Sequence, residues 1–218
     1  MRMTKVVSFD LDGTLIEACF ADSVWLEGIP RLYSAKNGVS LEDAKRTVKE
    51  EYEKVGKQKL EWYDLQCWIG KFGLNVSPRE LLKSFSHRVK MFSDVPSVLA
   101  ELKHRGFRLA VVTNGHREFL NFELSQAKID YFFERVFSST SDFGLVKKTV
   151  TPYQKVCSIL NVSPEEMVHV GDDVIFDFDV PKRLGILAFH LDRKGEHKGE
   201  FVVRSLTEFS EKLRRLGM

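Results

Sequence analysis

Short apolar runs and amphipathic runs take turns through the second half of this 218-residue chain. FRLAVVTNG (Phe107 to Gly115), RVFSS (Arg135 to Ser139), EMVHVGDD (Glu166 to Asp173) and GILAFHL (Gly185 to Leu191) read as strands, being short and rich in β-branched and aromatic residues. Val95 to Arg105, Glu118 to Ala127, Pro152 to Leu160 and Asp177 to Leu184 read as the helices between them, and FVVRSLTEFSEKLRRLG closes the chain as a strand and a helix. Strict strand–helix alternation predicts a parallel sheet covered by helices on both faces. The segment VVSFDLDGTL, from Val6 to Leu15, supplies a further buried strand near the start of the chain.

Between that strand and the alternating region the texture is almost wholly helical. Ser40 precedes LEDAKRTVKEEYEKV, which Gly56 ends; the amphipathic segment from Lys59 to Phe72 is stopped by Gly73. Ser77-Pro78-Arg79-Glu80 has a cap serine, a first-turn proline and a capping-box glutamate. The expected fold is therefore α/β: a Rossmann-like doubly wound sheet with an inserted all-helical domain. Residues 1–15 and 93–218 would form the α/β core, and residues 16–92 the helical cap. Trp25, Trp62 and Trp68, with Tyr33, Tyr52 and Tyr63, all fall in that insert. A small helical domain needs large side chains for its own core, so most of these rings are expected to pack inward rather than form a wall for a ligand.

Composition excludes several classes. Hydrophobic content of 43% and charged content of 29% are those of a globular protein, and the formal charge of +2 comes with no basic tract to suggest nucleic-acid binding. No run is long and apolar enough for a membrane span. Arg2 and Lys5 precede an apolar run too short and too acidic for a signal peptide. Cys19, Cys67 and Cys157 are widely spaced and suggest neither a disulfide framework nor a zinc site, which fits a reducing cytoplasm.

Open parallel sheets bind ligands beyond the carboxyl ends of their strands. Asp10 and Asp12 stand at the end of the first strand, where two carboxylates side by side raise each other's pKa and need compensation. Thr113, Asn114 and Gly115 end the second, and Gly171, Asp172 and Asp173 another, with Asp177 a turn further on. Lys147 and Lys148 follow the RVFSS strand. A divalent cation, Mg2+ by its preference for oxygen, would neutralise the carboxylates, while threonine, loop amides and lysine would hold a phosphate.

The ordered set DLDGT, TNG, a downstream lysine and GDDVIFD resembles the motifs of the haloacid dehalogenase superfamily, with the helical stretch at that family's first cap insertion. The resemblance implies that Asp10 is the nucleophile that forms an aspartyl-phosphate, and Asp12 the general acid and base. It also implies that Thr113, the Asn114 amide and a lysine hold the phosphoryl group. Asp10, the Asp12 carbonyl and Asp172 would bind the metal, with Asp173 and Asp177 around them. Counting back from YQKVCSILNV puts Lys147 on the motif position and Lys148 where the family often has proline; either lysine stays open.

Aspartates after a strand are commonly turn residues or helix caps, and Asp177 is as readily a cap as a partner of the site. Within the resemblance, dehalogenases lack an aspartate at position 12 and the phosphorylating ATPases carry threonine there, so Asp12 points to phosphoryl transfer. The expected function is magnesium-dependent hydrolysis of a small phosphorylated metabolite. A phosphomutase, then a 2-haloacid dehalogenase, then a non-catalytic binding protein stand as alternatives. No nucleic-acid or membrane partner is expected.

Overall fold

The computed structural model describes residues 5–218; Arg2, noted above, lies outside the described residues. Strands β1 (Val6–Phe9), β2 (Arg108–Thr113), β3 (Arg135–Ser138), β4 (Met167–Gly171), β5 (Leu187–Leu191) and β6 (Val202–Val203) form one six-stranded sheet in the order β3-β2-β1-β4-β5-β6. Every pairing is parallel. The strands are covered on both sides, which is why they read as near-continuous apolar runs. Side chains on alternate positions divide between two cores. Val7, Phe9, Leu109, Val111, Val168 and Val170 meet the helices Val95–His104 and Leu206–Arg215 on one face. Val6, Ala110, Val112 and Met167 meet Tyr153 and Val156 of helix Val150–Leu160 on the other.

The chain leaves β1 toward β2 and β3 on one side and returns to β4 on the other. Strand order reverses there, and the crevice of an open α/β sheet opens at such a reversal. Phe9 is in register with both Val111 and Val170, so the chain ends of β1, β2 and β4 lie at one level. Asp10, Thr113 and Asp172 are thereby delivered to the same edge.

Residues from Cys19 to Ser84 are mainly helical and hold a separate apolar cluster in which Phe20, Val24, Val48, Trp68, Leu81 and Leu82 are buried. Ser40 accepts from the Asp43 amide at the start of helix Leu41–Val55, and Ser77 and Glu80 close a capping box on helix Pro78–Ser84. One segment departs from expectation. The amphipathic run of 59–72 is split into a 3-10 turn, Leu60–Trp62, and a helix, Leu65–Lys71. Asp64 causes the break, because its carboxylate accepts from the amides of Gln66 and Cys67 at 2.8 and 3.2 Å and starts a new helix there. Phe119, from helix Arg117–Ala127 over the sheet, completes the cluster.

Candidate active site

The centre of the sheet's carboxyl edge is an ion-pair chain. Asp10 follows β1 and is only 6% exposed; Lys148 is 1% exposed and its ammonium donates to Asp10 Oδ1 at 2.5 Å. The same ammonium pairs with Asp177 and donates to the Val112 carbonyl at 3.2 Å. Burial pulls the lysine's pKa down, but Asp10 and Asp177 outweigh it and hold the amine charged. Burial likewise drives Asp177 up, yet Lys148 and His169 pull it well below the usual carboxylate range. Asp177 is thus a fixed anion that orients the lysine.

Asp177 is itself held from below. His169 Nε2 donates to its Oδ1 at 3.0 Å, and burial lowers the pKa of that imidazole, keeping it neutral. Neutral His169 then accepts at Nδ1 from the Ser8 hydroxyl, 2.7 Å away. Tyr153 donates to the Phe176 carbonyl at 2.9 Å, its oxygen 3.4 Å from Asp177 Oδ1. Asp177 reaches this place only because residue 171 is glycine: a Cβ there would stand 2.4 Å from the Asp177 carboxyl carbon.

The other carboxylates are less compensated. Asp12 Oδ1 is buried without a hydrogen-bond partner. Burial pushes the Asp12 carboxyl up to about 6, with Asp172 and Asp22 adding to the shift. Burial and then Asp177 push Asp172 to about 6 as well. Asp10 is also driven up, burial first; Lys148 opposes this, and Asp177 and Asp172 reinforce it. Asp172 lies directly against Gly13, whose φ of 78° and missing Cβ leave room for it; a Cβ there would stand 2.2 Å from Asp172 Oδ2.

Three carboxylates collected at one edge need positive charge. Carboxylate oxygens of Asp10, Asp172 and Asp177 lie within 4.8 Å of one another, and Lys148 occupies part of that demand through Asp10 and Asp177. Oxygen donors from Asp10 and Asp172, crowded and with raised pKa values, fit a hard divalent cation such as Mg2+. Thr113 Oγ1 accepts from the Gly115 amide at 3.0 Å, which leaves its hydroxyl proton free to donate into the cleft. Asn114 Oδ1 accepts from the Lys148 amide at 2.7 Å and so fixes the lysine's backbone.

Two placements correct the sequence reading. Lys148, not Lys147, enters the site; Lys147 instead stands over the Phe176 ring, its Nζ 5.0 Å from the centroid. Counting back from a helix cannot carry register through a loop whose anchor, the Asn114 amide group, comes from another strand. The N-cap is Asp173, which accepts from the amides of Ile175 and Phe176 at 2.8 Å each, starting the helical turn three residues before the expected helix. Asp177 belongs to the ion-pair chain instead. Ser8, His169 and Glu123 were missed. The first two are polar residues inside apolar strands, facing each other in register, and that break in pattern was the available signal. Glu123 sits among Phe119, Leu120 and Leu124 on a buried helix face, and burial, then the charge of and a hydrogen bond with neighbouring Asp12, push its carboxyl well above the usual range.

The cleft over these groups encloses about 310 Å³. Its inner wall is Asp10, Asp12, Thr113, Asn114, Lys148 and Asp172, and its outer wall is largely aromatic. The family model for haloacid dehalogenase-like hydrolases matches residues 4–185, more than half of the chain. The chain belongs to that family. The haloacid dehalogenase-like motifs at the strand ends are thus the family's own, and the branch is the phosphatase-like one. The chain is 26% identical to the GMP/IMP nucleotidase YrfG of Escherichia coli (strain K12) over 83% of this chain and 82% of that protein. It is 24% identical to a glyceraldehyde 3-phosphate phosphatase of Methanocaldococcus jannaschii, over 98% of this chain and 99% of that protein. A haloacid dehalogenase-like phosphatase structure from Thermococcus onnurineus superposes with a TM-score of 0.82 at 25% identity, covering 96% of this chain and 97% of that one.

Proposed function

We propose that this hydrolase is a magnesium-dependent phosphatase that cleaves a small phosphorylated metabolite through an aspartyl-phosphate on Asp10, with residues 16–92 acting as its cap domain. The observation that carries this reading is the contrast between two aspartates two residues apart, directly after β1. Asp10 is pinned by the Lys148 ammonium at 2.5 Å, whereas Asp12 has no ion-pair partner among the described residues, lies beside the buried Glu123 carboxyl and is pushed up to about 6. One is arranged to stay put as a nucleophile, the other to exchange a proton near neutral pH.

Thr113 and Lys148 hold the phosphoryl oxygens of the substrate. An oxygen of Asp10 attacks phosphorus, and the bond to the leaving alcohol breaks. Asp12 gives its proton to that leaving oxygen. Asp12, now ionised, then takes a proton from the water that attacks the phosphorus of the acyl-phosphate, and Asp10 is released with inorganic phosphate. Asp177 and His169 keep the lysine aimed at the phosphoryl group throughout. A magnesium ion held by the carboxylates of Asp10 and Asp172 and the carbonyl of Asp12 would supply charge neutralisation for the incoming dianion.

Asp12→Asn tests this assignment. With an aryl phosphate, whose leaving group needs little protonation, the first step should persist and the second slow by about two to four powers of ten. A burst of phenol without matching phosphate would follow, and phosphate would be found on Asp10. An alkyl phosphate should give neither burst nor turnover. Equal losses on both substrates with no trapped intermediate would remove Asp12 from this role, and full wild-type activity in chelator would remove the metal.

A further inference from the structure

We propose that the outer half of the cleft receives a leaving alcohol that carries a positive charge, an ammonium or quaternary ammonium, rather than one that carries a second acid. The inference rests on the phosphatase reading above and names the substrate class of that same site.

Charge is the first argument. Among the described residues that line the cleft, Lys148 is the one lysine or arginine, and its ammonium is already shared by Asp10, Asp177 and the Val112 carbonyl. His116 is the one other lining group able to become cationic, and its Nδ1 is 3.9 Å from a Glu118 carboxylate oxygen, which offsets such a charge. On the helical side the ionisable groups are Asp22 and Tyr63. Asp22 is exposed in the open cleft and close enough to reinforce the raised proton affinity of Asp12. A carboxylate or second phosphate on the leaving group would meet Asp22 with no cation beside it. A neutral group would cover Asp22 and strip its water without replacing the lost partner.

The rings are the second argument. Trp25, Trp62 and Tyr63 line the cleft and are only half-buried, unlike Trp68, which is 1% exposed in the helical core. Trp25 is stacked on Phe119 with centroids 5.4 Å apart and planes 21° apart, and Trp62 leans on Trp25 at 6.3 Å. This packing fixes the rings without closing the cleft. Their electron-rich faces attract cations and gain most when water is excluded. Trp62 already takes one: Lys57, which is outside the cleft lining, places its Nζ 5.5 Å from the ring centroid. An aromatic wall beside the Asp22 carboxylate, with no lysine or arginine among the lining residues of the helical side, is the chemistry that recognises an alkylammonium.

Three phosphate esters separate charge from shape: choline phosphate, 3,3-dimethylbutyl phosphate, which has carbon in place of the cationic nitrogen, and 3-phosphooxypropanoate. With magnesium, the wild-type protein should show kcat/KM for choline phosphate about five- to thirtyfold above the dimethylbutyl ester, and the carboxylate ester should be the poorest. Asp22→Asn and Trp62→Leu should each bring the ratio of the first two toward one. Equal kcat/KM for those two esters in the wild-type protein, or preference for the carboxylate ester, would overturn the inference while leaving the phosphatase reading intact. Hydrolysis of none of the three, and of no aryl phosphate either, would overturn both.

Discussion

At the carboxyl edge of the sheet, burial drives Asp10, Asp12 and Asp172 toward protonation. In the helical segment, Asp43, Glu51 and Glu80 are pulled the other way. Ser40 and Arg46 lower Asp43, Lys54 and Lys71 lower Glu51 to about 2, and Ser77 lowers Glu80. Both regions are rich in acids, but they use them differently. The helical segment leaves its carboxylates in water, where caps and ion pairs cost little and are individually dispensable. The sheet edge buries its carboxylates against one another and answers them with the Lys148 ammonium and a hydrogen bond from His169. A chain accepts locally unfavourable charge where the charge has chemical work to do.

The widest separation between the two regions should appear in turnover. On the proposed mechanism Asp10→Asn removes the nucleophile and should lower kcat by on the order of ten-thousandfold or more. Its thermal stability in chelator should equal or exceed the wild type, because a crowded buried charge is gone. Glu51→Gln, the counterpart in the helical segment, should leave kcat unchanged and lower the melting midpoint only slightly, since its ion pairs with Lys54 and Lys71 are exposed. An Asp10→Asn protein with near wild-type turnover would end the covalent mechanism.

Lysine substitutions give the next largest contrast. Lys148→Met leaves Asp10 and Asp177 buried without their shared partner, a loss expected to cost about 3–5 kcal/mol at neutral pH. Denaturant unfolding measures it, and turnover should fall with it. Lys147→Met removes only the ammonium above Phe176 and should leave both unfolding and kinetics as they were. Equal effects of the two substitutions would show that the ion-pair chain of Lys148 is not what holds the site together.

Much of this was legible in the sequence. Each sheet strand was visible as an apolar run, because a parallel sheet buries both faces and leaves an uninterrupted signal. Asp10, Thr113 and Asp172 were found by the rule that ligands lie beyond strand ends, which is a statement about topology and needs no distances. The failures share a cause. Lys148 is selected by a hydrogen bond from its amide to Asn114, 34 residues away in sequence, and Asp64 breaks a helix through a local bond that competes with hydrophobic periodicity. Neither bond has a periodic signature. The aromatic residues were only half readable: Trp68 is core as expected, but Trp25 packs on the core and lines the cleft as well, and Trp62 lines the cleft against Trp25. Spacing alone cannot distinguish a ring that is covered from one that is covered on one face.

The smallest predicted effect is on stability against pH without metal, and it asks whether the two regions titrate oppositely. Asp12 is raised from 3.8 in the unfolded chain to about 6 in the fold, so the folded state favours its protonated form. Its contribution is present below about pH 4 and is lost as pH rises through 6. Glu51, lowered to about 2, contributes in the opposite sense, and its stabilisation disappears as pH falls below its unfolded value of 4.5. His169, lowered from 6.5, also favours the fold at higher pH and would mask the Asp12 slope in a single titration. Subtracting the Asp12→Asn protein removes both, since Glu51 and His169 are common to the two. The wild type should therefore lose about 1–2 kcal/mol relative to Asp12→Asn between pH 4 and pH 6, the figure being reduced from the full shift because the Asp12 side chain keeps part of its surface in the open cleft. Above pH 6 the difference should be flat. Magnesium should shrink it, because a bound cation compensates the ionised form. A difference that does not change from pH 4 to pH 7 would mean that Asp12 is ionised as easily as the acids of the helical segment, and the contrast between the two regions would be lost at the residue where the proton transfer depends on it.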